Sequence, residues 1–263
     1  PQERGGTFMK ALLIDAGNTR ITCAAWDGSA QLPVRVDDSD LGLAAPVPLF
    51  YLGSLELPEP AGASAFRSAF AGMHDECGRP PVVLVTVVPE ITEILPDGLD
   101  LTVVDHACGL PFSLAVREPA RVGPDRLCNV AAAVAAGLPS ALVVDAGTAT
   151  TFDLLLENEF AGGLIAPGLA SSVRGLAEQT ARLEPVEFGP AGWEVGTDTT
   201  EAMRAGAWHT GTGGILHTVA GLLERYGPMP VVLTGGLGGH LRDAGYYYDP
   251  HWTLRGAAFL SRI

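Results

Sequence analysis

Short apolar runs and stretches of helical period alternate along this chain, and their order in the first half is taken up again in the second. Near the start, "KALLIDAGNTRITCAAWDG" predicts a strand, a tight turn, a second strand and a further turn at Asp27-Gly28. Residues 29–60 are rich in Pro, Asp and Ser and hold weaker strands in "QLPVRVD" and "PLFYLGSL". "ASAFRSAFAGMHDECG" spaces Phe66, Phe70 and Met73 along one helix face. "PPVVLVTVVP" is a β-branched run between prolines, the pattern of a strand covered on both faces, and "LTVVDHACGLPF" supplies another strand. In "GPDRLCNVAAAVAAGLP" Pro124 pre-sets a helical turn, Asp125 can cap it, and Gly137-Leu138-Pro139 ends it.

The pattern then restarts. "ALVVDAGTATTFDLLLENEFAGGLIAPG" predicts strand, turn, strand, a turn at Glu157-Asn158, and a third strand. Helices are expected around 169–181 and 199–226, a strand in "MPVVLTGG", and a last helix in "TLRGAAFLSRI". Strands alternating with helices indicate the α/β class. The turns "DAGNT" at Asp15 and "DAGTA" at Asp145 sit half a chain apart on matching strands. The expectation is therefore two homologous α/β halves facing a nucleotide cleft, with the two turns gripping the two ends of one polyphosphate.

Composition narrows the chemistry. The chain has 263 residues, 47% hydrophobic and 17% charged, enough for a large core and one or two domains. Its formal net charge of −14 argues against a nucleic-acid or anionic membrane surface as partner. An anionic substrate would need help from a metal ion, backbone N–H groups or a few arginines. Cys23, Cys77, Cys108 and Cys128 lie far apart with no C-x-x-C pair, as reduced thiols of a cytoplasmic protein would. The histidines show no metal-ligand spacing, and "VAAAVAAGLPSALVV" is too short and too broken to span a membrane. The start has too few apolar residues for a signal peptide; Met9 reads as the natural beginning, with residues 1–8 an unstructured extension.

A glycine at the apex of a strand–turn–strand lets backbone N–H groups point at a phosphate without obstruction. Thr19 and Thr148 add hydroxyl donors, and Asp15 and Asp145 can hold cations. Hairpin geometry alone explains one such turn; a matched pair favours a shared ligand. The other common phosphate loop, G-x-x-x-x-G-K-[ST], is excluded because the only lysine is Lys10. "VVLTGGLGGHL" is either a tight loop after a strand or a surface against which adenosine can lie. Asp125 in "GPDR" is either a helix cap or a carboxylate that accepts a hydroxyl proton, with Arg126 beside it to hold an anion. "GTDTTEAM" reads as a cap, with Thr197, Asp198 or Thr199 starting a helix and Glu201 in its first turn.

Taken in order, "DAGNT", "EPARVGPDR", "DAGTATTFD", "GGLIAPG", "VGTDTTEAMRAG" and "LTGGLGGHL" resemble the type III pantothenate kinases across nearly the whole chain from Met9. That family belongs to the acetate and sugar kinase, actin and chaperone ATPase superfamily. The resemblance implies an N-terminal RNase H-like domain over 9–121 and a C-terminal one over 122–263. It implies a cytoplasmic homodimer that uses ATP with Mg2+, and K+ or NH4+, to phosphorylate pantothenate.

By the same resemblance Asp15, Ala16, Gly17, Asn18, Thr19, Arg20, Ile21 and Thr22 form the first ATP phosphate turn, with Asp15 near the magnesium. Thr148 also contacts ATP, and Asp145 binds the monovalent cation. Asp125 is the general base, Gly123, Pro124, Asp125 and Arg126 line the pantothenate site, and Thr199 reaches pantothenate from the partner subunit. The chain departs from the family in three places: Val116 stands where a pantothenate-contacting Tyr is common, "GPDR" replaces "GADR", and "GTDT" replaces "GKNT". The alternatives are a non-catalytic nucleotide-binding regulatory protein of the transcription-accessory kind, or a kinase of another small hydroxy acid or sugar. Relatives of the regulatory kind tend to lose the second turn's Asp; Asp145 is retained, which favours the kinase.

Overall fold

The computed structural model describes residues 9–28, 49–56, 63–88 and 90–262. The expected extension at 1–8 and the strand in "QLPVRVD" lie outside the described residues. The chain divides into two compact units, Pro1–Leu138 with Trp252–Ile263, and Pro139–His251. The first holds β1 (Ala11–Ala16), β2 (Arg20–Trp26), β3 (Phe50–Glu56), α1 (Ala63–Glu76), β4 (Val82–Thr86), α2 (Ile91–Ile94), β5 (Leu101–Val103), β6 (Ser113–Leu114) and α3 (Pro124–Ala135). The second holds β7 (Ala141–Ala146), β8 (Ala149–Leu156), β9 (Glu159–Pro167), α4 (Leu169–Glu178), α5 (Thr199–Tyr226), β10 (Val231–Thr234) and β11 (Tyr247–Tyr248). The chain then returns to the first unit as α6 (Trp252–Leu260).

The two units repeat one topology. In the first, strands lie in the order β3-β2-β1-β4-β5; in the second, the unit's own strands lie in the order β9-β8-β7-β10-β11. β1 pairs antiparallel with β2 and parallel with β4, and β7 does the same with β8 and β10. These pairings bear out the α/β class and the duplication expected from the two turns. Both central strands are buried at their first four positions, as β-branched and leucine runs covered on both faces must be. Phe66 and Phe70 of α1 close one core over Leu12, Ile14 and Leu84, and Phe152, Val173 and Val219 build the other around Val144 and Leu233.

A boundary at 121/122 would assign α3 to the second half; its contacts place it in the first unit, with α6. The reason is burial. Leu127 to Ala133 are all buried, so α3 needs cover on every side. α6 supplies it at close range, because a Cβ on Gly256 would overlap the Cys128 carbonyl.

Candidate active site

In the first unit the site begins where β1 leaves the core. Leu12, Leu13 and Ile14 are fully buried, Asp15 is half-buried, and Asn18, Thr19 and Arg20 are exposed. Asp15 pairs across the hairpin with Thr22, and the turn closes with the Gly17 N–H donating to Arg20 O at 3.0 Å. Ala16 and Ile21 sit in the core, so either can meet a ligand only through its main chain.

Asp125 lies at the second position of α3. The N-cap is Gly123, without a side-chain cap, and Asp125 Oδ1 instead accepts from the Arg126 N–H at 2.9 Å. The cap expectation for Asp125 is therefore corrected: Pro124 at the first turn leaves that amide position without a donor, and the carboxylate folds back on its own turn. Gly123 makes room for it, since a Cβ there would overlap Asp125 Oδ1. Burial pushes the Asp125 carboxyl above the ordinary carboxylate range, and the Arg126 N–H and guanidinium pull it back only in part.

Burial raises the Cys128 thiol, and the charges of Asp15 and Asp125 raise it further, so both carboxylates lie within electrostatic reach of one sulfur. Burial, with Asp15 and Cys77 nearby, pushes Cys23 up to about 12. All four cysteines are free, and these two stay protonated at neutral pH and unsuited to nucleophilic work.

The second unit repeats the turn with a tighter closure. Asp145 pairs with Thr151, and the Gly147 N–H donates to Ala149 O at 3.0 Å, leaving Thr148 alone at the exposed tip. Two glycine motifs hold this turn. Thr148 O accepts from the Gly168 N–H at 3.2 Å and from Ser171 Oγ at 2.7 Å, and a Cβ on Gly168 would overlap that carbonyl. Gly235, at φ +80°, lies against Asp145 Oδ1 and the Ala146 backbone, where any side chain would collide. "LTGGLGGHL" thus braces the Asp145 turn and continues as a 3-10 helix, Gly238–Ala244. The role of Ser171 was not foreseen, because its partner lies 23 positions away.

Thr199 opens α5 as its first residue, exposed. Asp198 is the cap: its Oδ1 accepts from the Glu201 N–H at 2.8 Å, while Glu201 Oε2 takes the Thr197 N–H and hydroxyl, each at 2.9 Å. Thr199 also stands at the rim of a cavity of about 810 Å3 between α4 and α5, lined by Phe152, Leu169, Val173, Met203 and Ile215 among others.

Among the described residues no three His, Cys, Asp or Glu side chains group as a metal cage. Two single carboxylates stand at the turns instead, Asp15 and Asp145. Magnesium is commonly held by one or two carboxylates together with substrate phosphates, which Asp15 at an exposed turn allows. Asp145 Oδ1 lies where a Cβ on Gly235 would fall, so a side chain at that position would cover this oxygen. Among the described residues, no helix is long and apolar enough to cross a membrane.

Comparison with known proteins fits this arrangement. A structure from Campylobacter jejuni, described as a Baf family transcriptional activator, superposes with TM-score 0.56 at 19% identity, covering 95% of this chain and 97% of that one. A second, described as a 2-dehydro-3-deoxygalactonokinase from Sinorhizobium meliloti, gives 0.55 at 16% identity, covering 96% of each. The duplicated sheets with their paired Asp-x-Gly turns define the class, the actin-like ATPase fold. The model of the type III pantothenate kinase family matches residues 11–221. A type III pantothenate kinase of Dehalococcoides mccartyi (strain CBDB1) is 30% identical over 97% of this chain and 96% of its own length. One from Salinispora arenicola is 31% identical over 86% of this chain and 87% of its own. The chain belongs to the type III pantothenate kinase family.

The raised Asp125 carboxyl has a consequence for stability. It holds its proton more tightly folded than unfolded, so its contribution is fully present below the unfolded value and is lost as pH rises through the folded value. At about pH 7 the ionised group is therefore a burden that Asp125→Asn removes. Thermal melts should show the Asn variant at or above wild-type stability near neutral pH, with the gap closing toward about pH 4. A variant clearly less stable than wild type at neutral pH would contradict the buried, destabilised carboxylate.

Proposed function

We propose that this chain transfers the γ-phosphoryl group of ATP to the primary hydroxyl of pantothenate, the first step of coenzyme A synthesis. Family membership supports the substrate pair, and the observation that supplies a chemistry is Asp125, a carboxylate of raised proton affinity at a helix start, with Asp15 nearby. The pantothenate hydroxyl gives its proton to Asp125 as its oxygen bonds to the γ-phosphorus, and the bond to the departing ADP oxygen breaks. Phosphoryl transfer needs mainly positioning and charge stabilisation, and a base pulled toward neutrality serves better than an ordinary carboxylate. Arg126 steadies the anionic substrate beside Asp125.

The turn from Asp15 to Thr22 offers its Gly17-Asn18-Thr19 backbone and the Thr19 hydroxyl to ATP phosphates, and Thr148 does the same from the second turn. Asp15 would hold Mg2+ and Asp145 K+ or NH4+, which would supply positive charge beside the phosphates in a chain of net charge −14. Both substrates are small and water-soluble, which suits a cytoplasmic enzyme with neither nucleic acid nor membrane as partner.

The active unit in this reading is a homodimer, with Thr199 of one protomer completing its partner's pantothenate pocket. Support comes from the apolar cavity beside Thr199 and from the nearby exposure of Trp193 and Val195, at 85% and 88%.

Incubation with γ-labelled ATP, magnesium and pantothenate should yield labelled phosphopantothenate, faster in potassium than in sodium buffer. Binding of nucleotide without any transfer would instead support a regulatory protein, and transfer only to a different hydroxy acid or sugar would support another kinase. The shared pocket has its own test, co-expression of an Asp125→Asn chain with a Thr199→Ala chain. Random pairing makes half the dimers mixed, so roughly a quarter of all pockets should regain both residues and activity. No recovery in verified mixed dimers would refute it.

A further inference from the structure

α3 is a buried helix with one polar residue deep in its packing. Asn129 is fully buried, between Cys128 and Val130, where an amide costs stability unless it is hydrogen-bonded. Its Oδ1 accepts from Thr253 Oγ1 at 2.8 Å, and its backbone carbonyl accepts from Trp252 Nε1 at 2.9 Å. Both donors stand in the first turn of α6, with Trp252 fully buried and Thr253 6% exposed. Apolar contact alone, such as Gly256 against the Cys128 backbone, sets how close the helices lie but resists sliding and rotation weakly. Two directional bonds to one residue fix both.

We propose that Asn129 and Thr253 are positioning residues for the reaction, holding α3 in the rotation and register at which Asp125 reaches the substrate hydroxyl. Asn129 lies four residues after Asp125, about one helical turn along the same face, so a rotation at one is a rotation at the other. α6 also packs on β1, the strand that carries Asp15. One helix therefore references both carboxylates. The proposal rests on Asp125 being the base.

The test is a kinetic cycle on the full-length protein. Thr253→Val keeps the shape of the side chain and removes the donor; Thr253→Ser keeps the donor. With misplacement of a catalytic group by about 1 Å able to cost roughly 100-fold, Thr253→Val should lower kcat by about 10- to 100-fold. KM for ATP and pantothenate should change by less than about threefold. Thr253→Ser should restore most of kcat. In an Asp125→Asn background Thr253→Val should add no further loss, because residues acting through one group are non-additive.

The combined Asn129→Leu/Thr253→Val chain removes both polar partners and so leaves neither stranded. It should still be slow when folded. Wild-type kcat in that chain or in Thr253→Val, or an equal loss with and without Asp125, would overturn the positioning role. Wild-type turnover in Asp125→Asn alone would instead show that the base assignment had failed.

Discussion

Both central strands of this protein carry a carboxylate near their carboxyl ends, half-buried between a run of buried residues and an exposed turn. β1 and β7 share one burial pattern, four buried residues, a half-buried Asp, and a buried Ala before Gly. Moving either Asp one position inward would sink an ionised group into the sheet at a cost of several kcal/mol. One position outward, at Ala16 or Ala146, it would again be buried. The acid is thus held where it is rigid and still wet, at the carboxyl end of a central strand, the edge at which open α/β sheets bind ligands.

The rest of the site follows from that placement. Each turn needs space around its acid, and glycines supply it: Gly123 for the Asp125 carboxylate, Gly168 for the Thr148 carbonyl, and Gly235 for Asp145. Each also needs a brace, which is why Ser171 reaches back to Thr148 and why α6 holds α3 by Trp252 and Thr253. Burial raises the proton affinity of Asp125, the proposed base. In the proposed role, stability and activity pull in opposite directions at Asp125.

Local order was legible in the sequence wherever local rules governed it. The two Asp-x-Gly hairpins, the turn at Glu157 and Asn158 with φ of 50° and 61°, and α5 over Thr199–Tyr226 follow from turn residues, apolar period and capping chemistry. Asp198 as cap emerged from one of three candidates. Packing that joins distant segments was not legible. Asn129 and Thr253 are 124 positions apart, and neither residue advertises its partner. For the same reason the expected boundary at 121/122 separates α3 from its cover: α6 returns from the far end to pack on α3, a tertiary contact with no signature in period or composition. Gly235 stood out as part of a glycine cluster, while its contact with Asp145 is a property of the fold.

The central claim is that Asp125 acts in the transfer step and not in assembling the site. Single-turnover phosphoryl transfer by Asp125→Asn, at saturating ATP and pantothenate, tests it directly when paired with calorimetric binding of both substrates to the same protein. The account predicts binding within about threefold of wild type and a transfer rate lower by roughly 100- to 10,000-fold. Transfer at close to the wild-type rate with both substrates bound would contradict it.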